Sequence, residues 1–170
     1  QGFSVGFDAS VEEIWAALSL GGTLVVPSEA LTRSPMDVAE FITANRVTYF
    51  STVPTFLSMI DCDLPTVRIL VLGGEVCPTE LVARWAKPDR RVLNTYGPTE
   101  TTVVATWAEC HSGEPVTIGR ALPGYETLVL DQDMRPVAPG QVGELYIGGP
   151  AVARGYMNQP ELTAQRFVAN

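Results

Sequence analysis

Between residues 94 and 102 the chain reads Asn-Thr-Tyr-Gly-Pro-Thr-Glu-Thr-Thr. Gly97 and Pro98 are enough to make a turn. The residues around them are more than a turn requires: Tyr96 offers an aromatic plane, Thr99 a hydroxyl and Glu100 a carboxylate. A ligand that joins a planar base, a phosphate and a divalent cation would engage all three, because Mg²⁺ takes one or two carboxylates alongside substrate phosphates. A plainer alternative stands beside this one. Thr101 to Thr106 is good β-strand sequence, so a turn leading into a strand also accounts for the segment. A second candidate lies upstream, where Gly73, Gly74 and Glu75 follow the apolar run Arg-Ile-Leu-Val-Leu. Paired glycines let backbone approach a flat ligand closely.

The elements that must position these residues alternate in type. "SVEEIWAALS" carries a capping-box pattern, Ser10 with Glu13 three later, and places Val11, Ile14, Trp15 and Leu18 on one helical face. "GTLVVP" reads as a buried strand. "SPMDVAEFITANR" is a helix capped by Ser34 with Pro35 first, burying Val38, Phe41 and Ile42. "VTYFST", "RILVLGG" and "RVLNTY" read as strands, "PTFLSMI" and "PTELVARWA" as helices. Such alternation predicts an α/β fold with a parallel sheet. After about residue 105 the pattern changes to short β runs between Gly, Pro and Asp turns: "TWAE", "PVTIG", "ETLVLD", "RPVAP" and "GELYIGG". Residues 106–170 therefore read as antiparallel β, a meander or partial barrel closed by a helix at "QPELTAQRFV", and residues 1–105 as the α/β part. In open α/β sheets, ligands bind beyond the carboxyl ends of the strands. The ends at Ser51–Pro54, Gly73–Glu75 and Asn94–Tyr96 would converge there.

Composition narrows the class. A chain of 170 residues, 46% hydrophobic and 18% charged, can build one core. Its net charge of -8 disfavours nucleic acid and anionic membranes as partners. No apolar run is long enough to span a bilayer, and no signal segment opens the chain. Cys62, Cys77 and Cys110 are too few and too scattered for a disulfide or zinc framework, which suits reduced thiols and a cytoplasmic setting. His111 beside Cys110 is read as part of a surface loop and not as a catalytic pair. Lys87 is the only lysine, and no GxxxxGK[ST] or GxGxxG loop is present. A lysine for phosphate would have to come from elsewhere.

Three motifs together carry a resemblance. "NTYGPTETT", "FDASVEEIW" at residues 7–15 and "GELYIGGPAVARGYMNQPELTAQRF" at residues 143–167 closely resemble, in order and spacing, core motifs of amino-acid-activating adenylation domains of nonribosomal peptide synthetases. The similarity runs through essentially the whole chain. It implies membership of the adenylate-forming superfamily and a reaction of an amino acid with ATP and Mg²⁺ to give aminoacyl-AMP and pyrophosphate. The aminoacyl group would then pass to a phosphopantetheine thiol on a carrier protein domain, among neighbouring synthetase modules. The same resemblance implies that Tyr96 stacks on adenine, with Gly73, Gly74 and Glu75 on the other face. Asn94 and Thr95 would lie at the base edge, with Gly97 between Tyr96 and the phosphate contact Thr99. Thr99 and Glu100 would be the catalytic pair, Glu100 holding the metal, while Asp8 would pair with the substrate's α-ammonium. The third motif suggests no ligand role. The chain would be an internal fragment of a larger subdomain, truncated at both ends, and on its own it would not catalyse ATP–pyrophosphate exchange.

Carried over by the same resemblance, the substrate lining is Asp8, Ala9, Glu12, Ser51, Val71, Gly73, Thr95, Val103 and Val104. Four residues of helix rise about 6 Å and return to nearly the same face, so Asp8 can hold the α-ammonium while Glu12 waits deeper. With valine walls and hydroxyls at Ser51 and Thr95, a methylene stem ending in a cation fits best: lysine first, then ornithine or β-lysine. The alternative for Glu12 is a solvated first-turn acid favoured by the helix dipole. Two other functions compete: an acyl- or aryl-CoA ligase, or a catalytically silent nucleotide-binding module. Asp8 argues against the ligase, whose acids offer no ammonium to a buried carboxylate.

Overall fold

The uninterrupted apolar run at residues 69–72 forms a strand buried on both faces, as a segment without polar alternation requires, with Leu70, Val71 and Leu72 all buried. In a computed structural model that describes residues 1–169, this strand is the second of a five-stranded sheet. β1 (Tyr49–Thr52), β2 (Ile69–Leu72) and β3 (Arg91–Tyr96) run parallel, with Thr52, Leu72 and Asn94 in register. β4 (Thr106–Cys110) pairs antiparallel with β3, and the two-residue β5 (Arg120–Ala121) pairs with β4. The first sheet thus runs on past residue 105. β6 (Glu126–Leu130) and β7 (Glu144–Gly148) form a separate antiparallel pair. The fold is α/β with mixed sheets, and the described strands do not close into a barrel.

Helices α2 (Pro35–Ala44), α3 (Pro54–Ser58) and α4 (Thr79–Trp85) fall between the parallel strands. Ser34 caps α2 by accepting the Asp37 N–H at 3.3 Å, with Pro35 at the first position, as its sequence predicts. One face of the sheet supplies Leu70, Leu72 and Val92 to a core shared with Val38, Ile42, Leu57, Val82 and Trp85. Each side chain so buried contributes about 1.5 to 3 kcal/mol, so this face anchors the fold. Strand alternation sends the intervening residues, among them Ser51, Val71 and Thr95, to the opposite face. Arg90, 5% exposed, ties the loops beneath the strands together. It donates to the carbonyls of Leu64, Val67 and Trp85 and to the Asp63 carboxylate at 3.1 Å.

Several segments depart from their sequence patterns. Helix α1 (Ala9–Leu18) begins before Ser10, with Asp8 at the N-cap, so no capping box forms. Glu13 instead accepts the backbone N–H groups of Gly2 and Phe3 at 2.8 and 3.0 Å, while the Ser10 N–H donates to the Phe7 carbonyl at 3.0 Å. The apolar face of α1 stays open: Trp15 is 61% exposed, with Val11 and Leu18 beside it. Residues 22–27 are not a strand, because no described segment pairs with them. "PVTIG" bends at Gly119 (φ 70°) and does not join a ladder, and "RPVAP" makes a single bridge, Leu130 to Pro136. Helix α5 (Pro160–Arg166) closes the described chain. No helix among the described residues is long and apolar enough to cross a membrane. All three cysteines are free thiols, and burial pushes Cys77 up to about 11.

Candidate functional site

The carboxyl ends of β2 and β3 approach so closely that one of them must be glycine. Thr95 donates its hydroxyl to the Leu72 carbonyl at 3.1 Å. A Cβ on Gly73 would stand 2.6 Å from that hydroxyl, and Gly74 lies at φ +79°, which L side chains rarely adopt. Gly97 is equally constrained, since a Cβ there would meet the Val103 carbonyl oxygen at 2.3 Å. That approach folds residues 98–105 back over the end of β3, where the Ala105 N–H donates to the Tyr96 carbonyl at 2.9 Å. The segment is a 3-10 turn at Thr99–Thr101 followed by Thr102 and Val103 at φ 57° and 72°. Positive φ at β-branched residues costs of order 1 to 3 kcal/mol each and is characteristic of functional loops. Strand structure begins only at Thr106, so the plain reading of a strand from Thr101 does not hold.

The turn is held from both ends of the chain. Thr99 donates its hydroxyl to the Asp8 carboxylate at 2.6 Å, joining two segments 91 residues apart. The Glu100 carbonyl accepts the Ala153 N–H at 2.7 Å, and its carboxylate accepts the Tyr156 hydroxyl. That hydroxyl is the main reason the Glu100 carboxyl is held below its usual range. Thr102 donates to the Ala151 carbonyl at 2.6 Å, and the Tyr125 hydroxyl donates to the Thr101 carbonyl. Tyr125, Ala151, Ala153 and Tyr156 are contacts that sequence reasoning missed. The Gly155–Tyr156 pair inside the third motif was the available signal.

On the sheet face away from the core, Glu12 of α1 accepts hydroxyls from Tyr49 and, at 3.5 Å, from Ser51. Burial raises the Glu12 carboxyl above its ordinary range, against the pull of the Tyr49 hydroxyl. The phenol of Tyr49 is raised in turn by burial and by the Glu12 charge. No Lys, Arg or His forms an ion pair with Glu12 among the described residues. It is a half-buried carboxylate answered by hydroxyls alone, not a solvated first-turn acid. Ser51 and Val71 are buried and directly paired, and Val103, Val104, Ala9 and Asp8 are half-buried.

The remaining predicted residues lie around these. The Asn94 side chain is buried and donates to the Thr117 carbonyl at 2.8 Å, leaving its own oxygen without a partner. The Glu75 carboxylate accepts the Thr55 N–H at 2.9 Å at the start of α3, so its side chain is committed to a helix end. Tyr96, 39% exposed, leaves its ring open at the rim. No cluster of three or more acidic, Cys or His side chains forms a cation cage among the described residues. A lone ionised carboxylate at Glu100 fits a Mg²⁺ carried by a polyphosphate, not a metal held by protein alone. A cavity of about 790 Å³ lies between α1, residues 22–27, α2 and β1; it is bounded by Ala17, Val25, Phe41 and Phe56 and reaches Tyr49 and Ser51, whose hydroxyls hold Glu12.

Comparison with known proteins supplies the context for this geometry. Residues 3–157 match the family model described as AMP-binding enzyme. The chain is 45% identical, over 100% of its length, to the delta-poly-L-ornithine synthetase of Acinetobacter baumannii (strain AB307-0294), of which it covers 13%. It is also 45% identical, over 98% of its length, to novobiocin biosynthesis protein H of Streptomyces niveus, covering 28% of that protein. The fold superposes with a TM-score of 0.89 on holo-AB3403, a four-domain nonribosomal peptide synthetase bound to AMP and glycine. There the identity is 29%, over 96% of this chain and 13% of the other. The chain therefore spans less than a third of the length of these relatives.

Proposed function

This chain belongs to the AMP-binding enzyme family, and from that premise we propose that the whole protein carrying it activates an amino acid by adenylation. An oxygen of the substrate carboxylate attacks the α-phosphorus of ATP, the bond to pyrophosphate breaks, and aminoacyl-AMP forms. The aminoacyl group then passes to a phosphopantetheine thiol on a carrier domain. The observation that supports this most is the Thr99–Asp8 hydrogen bond. It sets a hydroxyl suited to phosphate directly beside a carboxylate suited to an α-ammonium, so the two reacting partners would meet there.

The residues then take distinct parts. Asp8 fixes the amino end of the substrate and thereby aims its carboxylate toward the turn. Tyr96 offers its exposed ring to the base, and the Gly73–Gly74 backbone leaves room for the base's other face. Thr99 contacts phosphate once the substrate ammonium takes over Asp8. Glu100 would hold Mg²⁺, which when bound neutralises charge growing on the departing pyrophosphate. Asn94 would support the floor of the base site, given its buried placement. The substrate is a basic amino acid, lysine first and ornithine or β-lysine next. Glu12 supports this, since it is a half-buried carboxylate with no cationic partner among the described residues and lies on the same sheet face as Ser51 and Val71. A relative named for polyornithine synthesis is in keeping with a basic substrate.

The test is amino-acid-dependent exchange of pyrophosphate into ATP by the whole protein. Glu100→Gln should cut turnover while leaving the amino-acid KM little changed, because its part is played in the transition state. An amino-acid affinity that collapses while turnover survives would move Glu100 into the substrate pocket instead.

A further inference from the structure

We propose that Tyr156 is a positioning residue for Glu100, and that the motif around it is a strut which sets the carboxylate's orientation. The inference rests on the reading of Glu100 as the carboxylate that meets polyphosphate-borne Mg²⁺. Tyr156 donates its hydroxyl to one oxygen of Glu100, Oε1, and among the described residues no other side chain donates to the carboxylate. A carboxylate so engaged presents its free oxygen in one direction, and hydrogen-bonded partners of this kind orient metal-binding carboxylates and tune them.

The rest of the motif holds the phenol in place. Gly155 lies at φ +138°, and a Cβ on it would stand 2.4 Å from the Thr163 methyl carbon, so only glycine lets the two segments meet. Thr163 in turn accepts the Tyr156 N–H at 2.9 Å. The Tyr156 ring packs edge-on against Phe167, with ring centres 5.4 Å apart. Two residues before Gly155, the Ala153 N–H donates to the Glu100 carbonyl at 2.7 Å. The same short segment therefore grips Glu100 by its backbone and by its side chain. This accounts for the glycine, tyrosine, threonine and phenylalanine of residues 155–167 without giving any of them a contact with substrate.

Tyr156→Phe keeps the ring and its packing on Phe167 and removes only the hydroxyl. In the whole protein, the Mg²⁺ concentration that half-saturates binding of a non-hydrolysable ATP analogue should rise by about ten- to a hundredfold. Affinity for AMP in chelator should stay at the wild-type value, and excess Mg²⁺ should restore exchange activity. Glu100→Ala, measured alongside, should not be restored by excess Mg²⁺. If Tyr156→Phe keeps the wild-type Mg²⁺ dependence while Glu100→Ala shifts it, the positioning role is wrong and the assignment of Glu100 stands. If neither variant shifts it, both are wrong. Loss of AMP affinity in step with analogue affinity would mark a general structural role for Tyr156 and overturn the proposal as well.

Discussion

Replacing Glu12 by glutamine separates a specificity carboxylate from a structural one. The change keeps the shape of the side chain and an oxygen that can accept from Tyr49, but removes the charge. Two unit charges about 4 Å apart interact by roughly 4 kcal/mol at the effective dielectric of about 20 that suits protein sites. A fully buried pair that loses one partner typically costs about 3 to 5 kcal/mol. Glu12 is half-buried, not sealed, and its charge is already shared with the hydroxyls of Tyr49 and Ser51. A smaller cost therefore applies, about 2 to 4 kcal/mol, or roughly thirtyfold to several hundredfold in preference for lysine over norleucine. The assay is exchange activity of the whole protein across lysine, ornithine, glutamine and norleucine, for wild type, Glu12→Gln and Asp8→Asn. Asp8→Asn should weaken all four alike, because each presents an α-ammonium. Folding stability of Glu12→Gln should stay within about 1 kcal/mol of wild type at neutral pH, since burial already disfavours the charge that is removed. If Glu12→Gln keeps the wild-type ranking of substrates, the carboxylate does not read the substrate tail and the basic assignment falls. A wild type that prefers norleucine would refute the pocket while leaving adenylation untouched.

Arg90→Met should destabilise the fold by about 3 kcal/mol, read by chemical denaturation. The loss comes mainly from three buried carbonyls left without a donor and less from Asp63, which water can reach. Asp63 is held down to about 2 by Lys87 at 2.7 Å and then Arg90. A depressed carboxylate stabilises the fold above its unfolded value of 3.8 and loses that contribution as pH falls toward 2. After allowance for its exposure this amounts to about 1 kcal/mol, and Asp63→Asn should flatten that part of the stability–pH curve. An unchanged slope would assign the acid sensitivity to other groups. Gly97→Ala should cost about 3 kcal/mol by overpacking against the Val103 carbonyl, with a matching fall in melting temperature. A neutral result would show that the turn can move away.

The parallel strands were legible because their sequences leave little choice. β2 is entirely apolar, and β3 ends in a run of polar residues and a glycine–proline turn that a strand alone does not require. The face on which Ser51, Val71 and Thr95 lie follows from period-two alternation once the core face is known. The failures share a cause, which is competition from partners distant in sequence. Ser10 with Glu13 is a sound local pattern, but the Gly2 and Phe3 amides reach Glu13 first. Residues 22–27 have strand composition, yet composition cannot provide a neighbouring strand. Tyr156 was opaque for the same reason, because nothing local to residue 156 reports on residue 100. Asn94 shows the converse. Its place in a motif suggested a ligand edge, whereas nothing local in sequence announced that its amide group donates to the Thr117 carbonyl.

The bond between Thr99 and Asp8 has a kinetic consequence. Closing a loop of 91 residues costs about 4 kcal/mol in chain entropy, whereas one neutral-donor hydrogen bond returns only about 1 to 3 kcal/mol even to a charged acceptor. The bond cannot bring its own ends together. It forms only after β1, β2 and β3 have zipped into register and α1 has been carried across their ends, which places it among the last native contacts on any folding route. A chain emerging from the ribosome passes through every parallel strand before this junction can exist. A register error anywhere in the sheet would therefore leave the junction unmade.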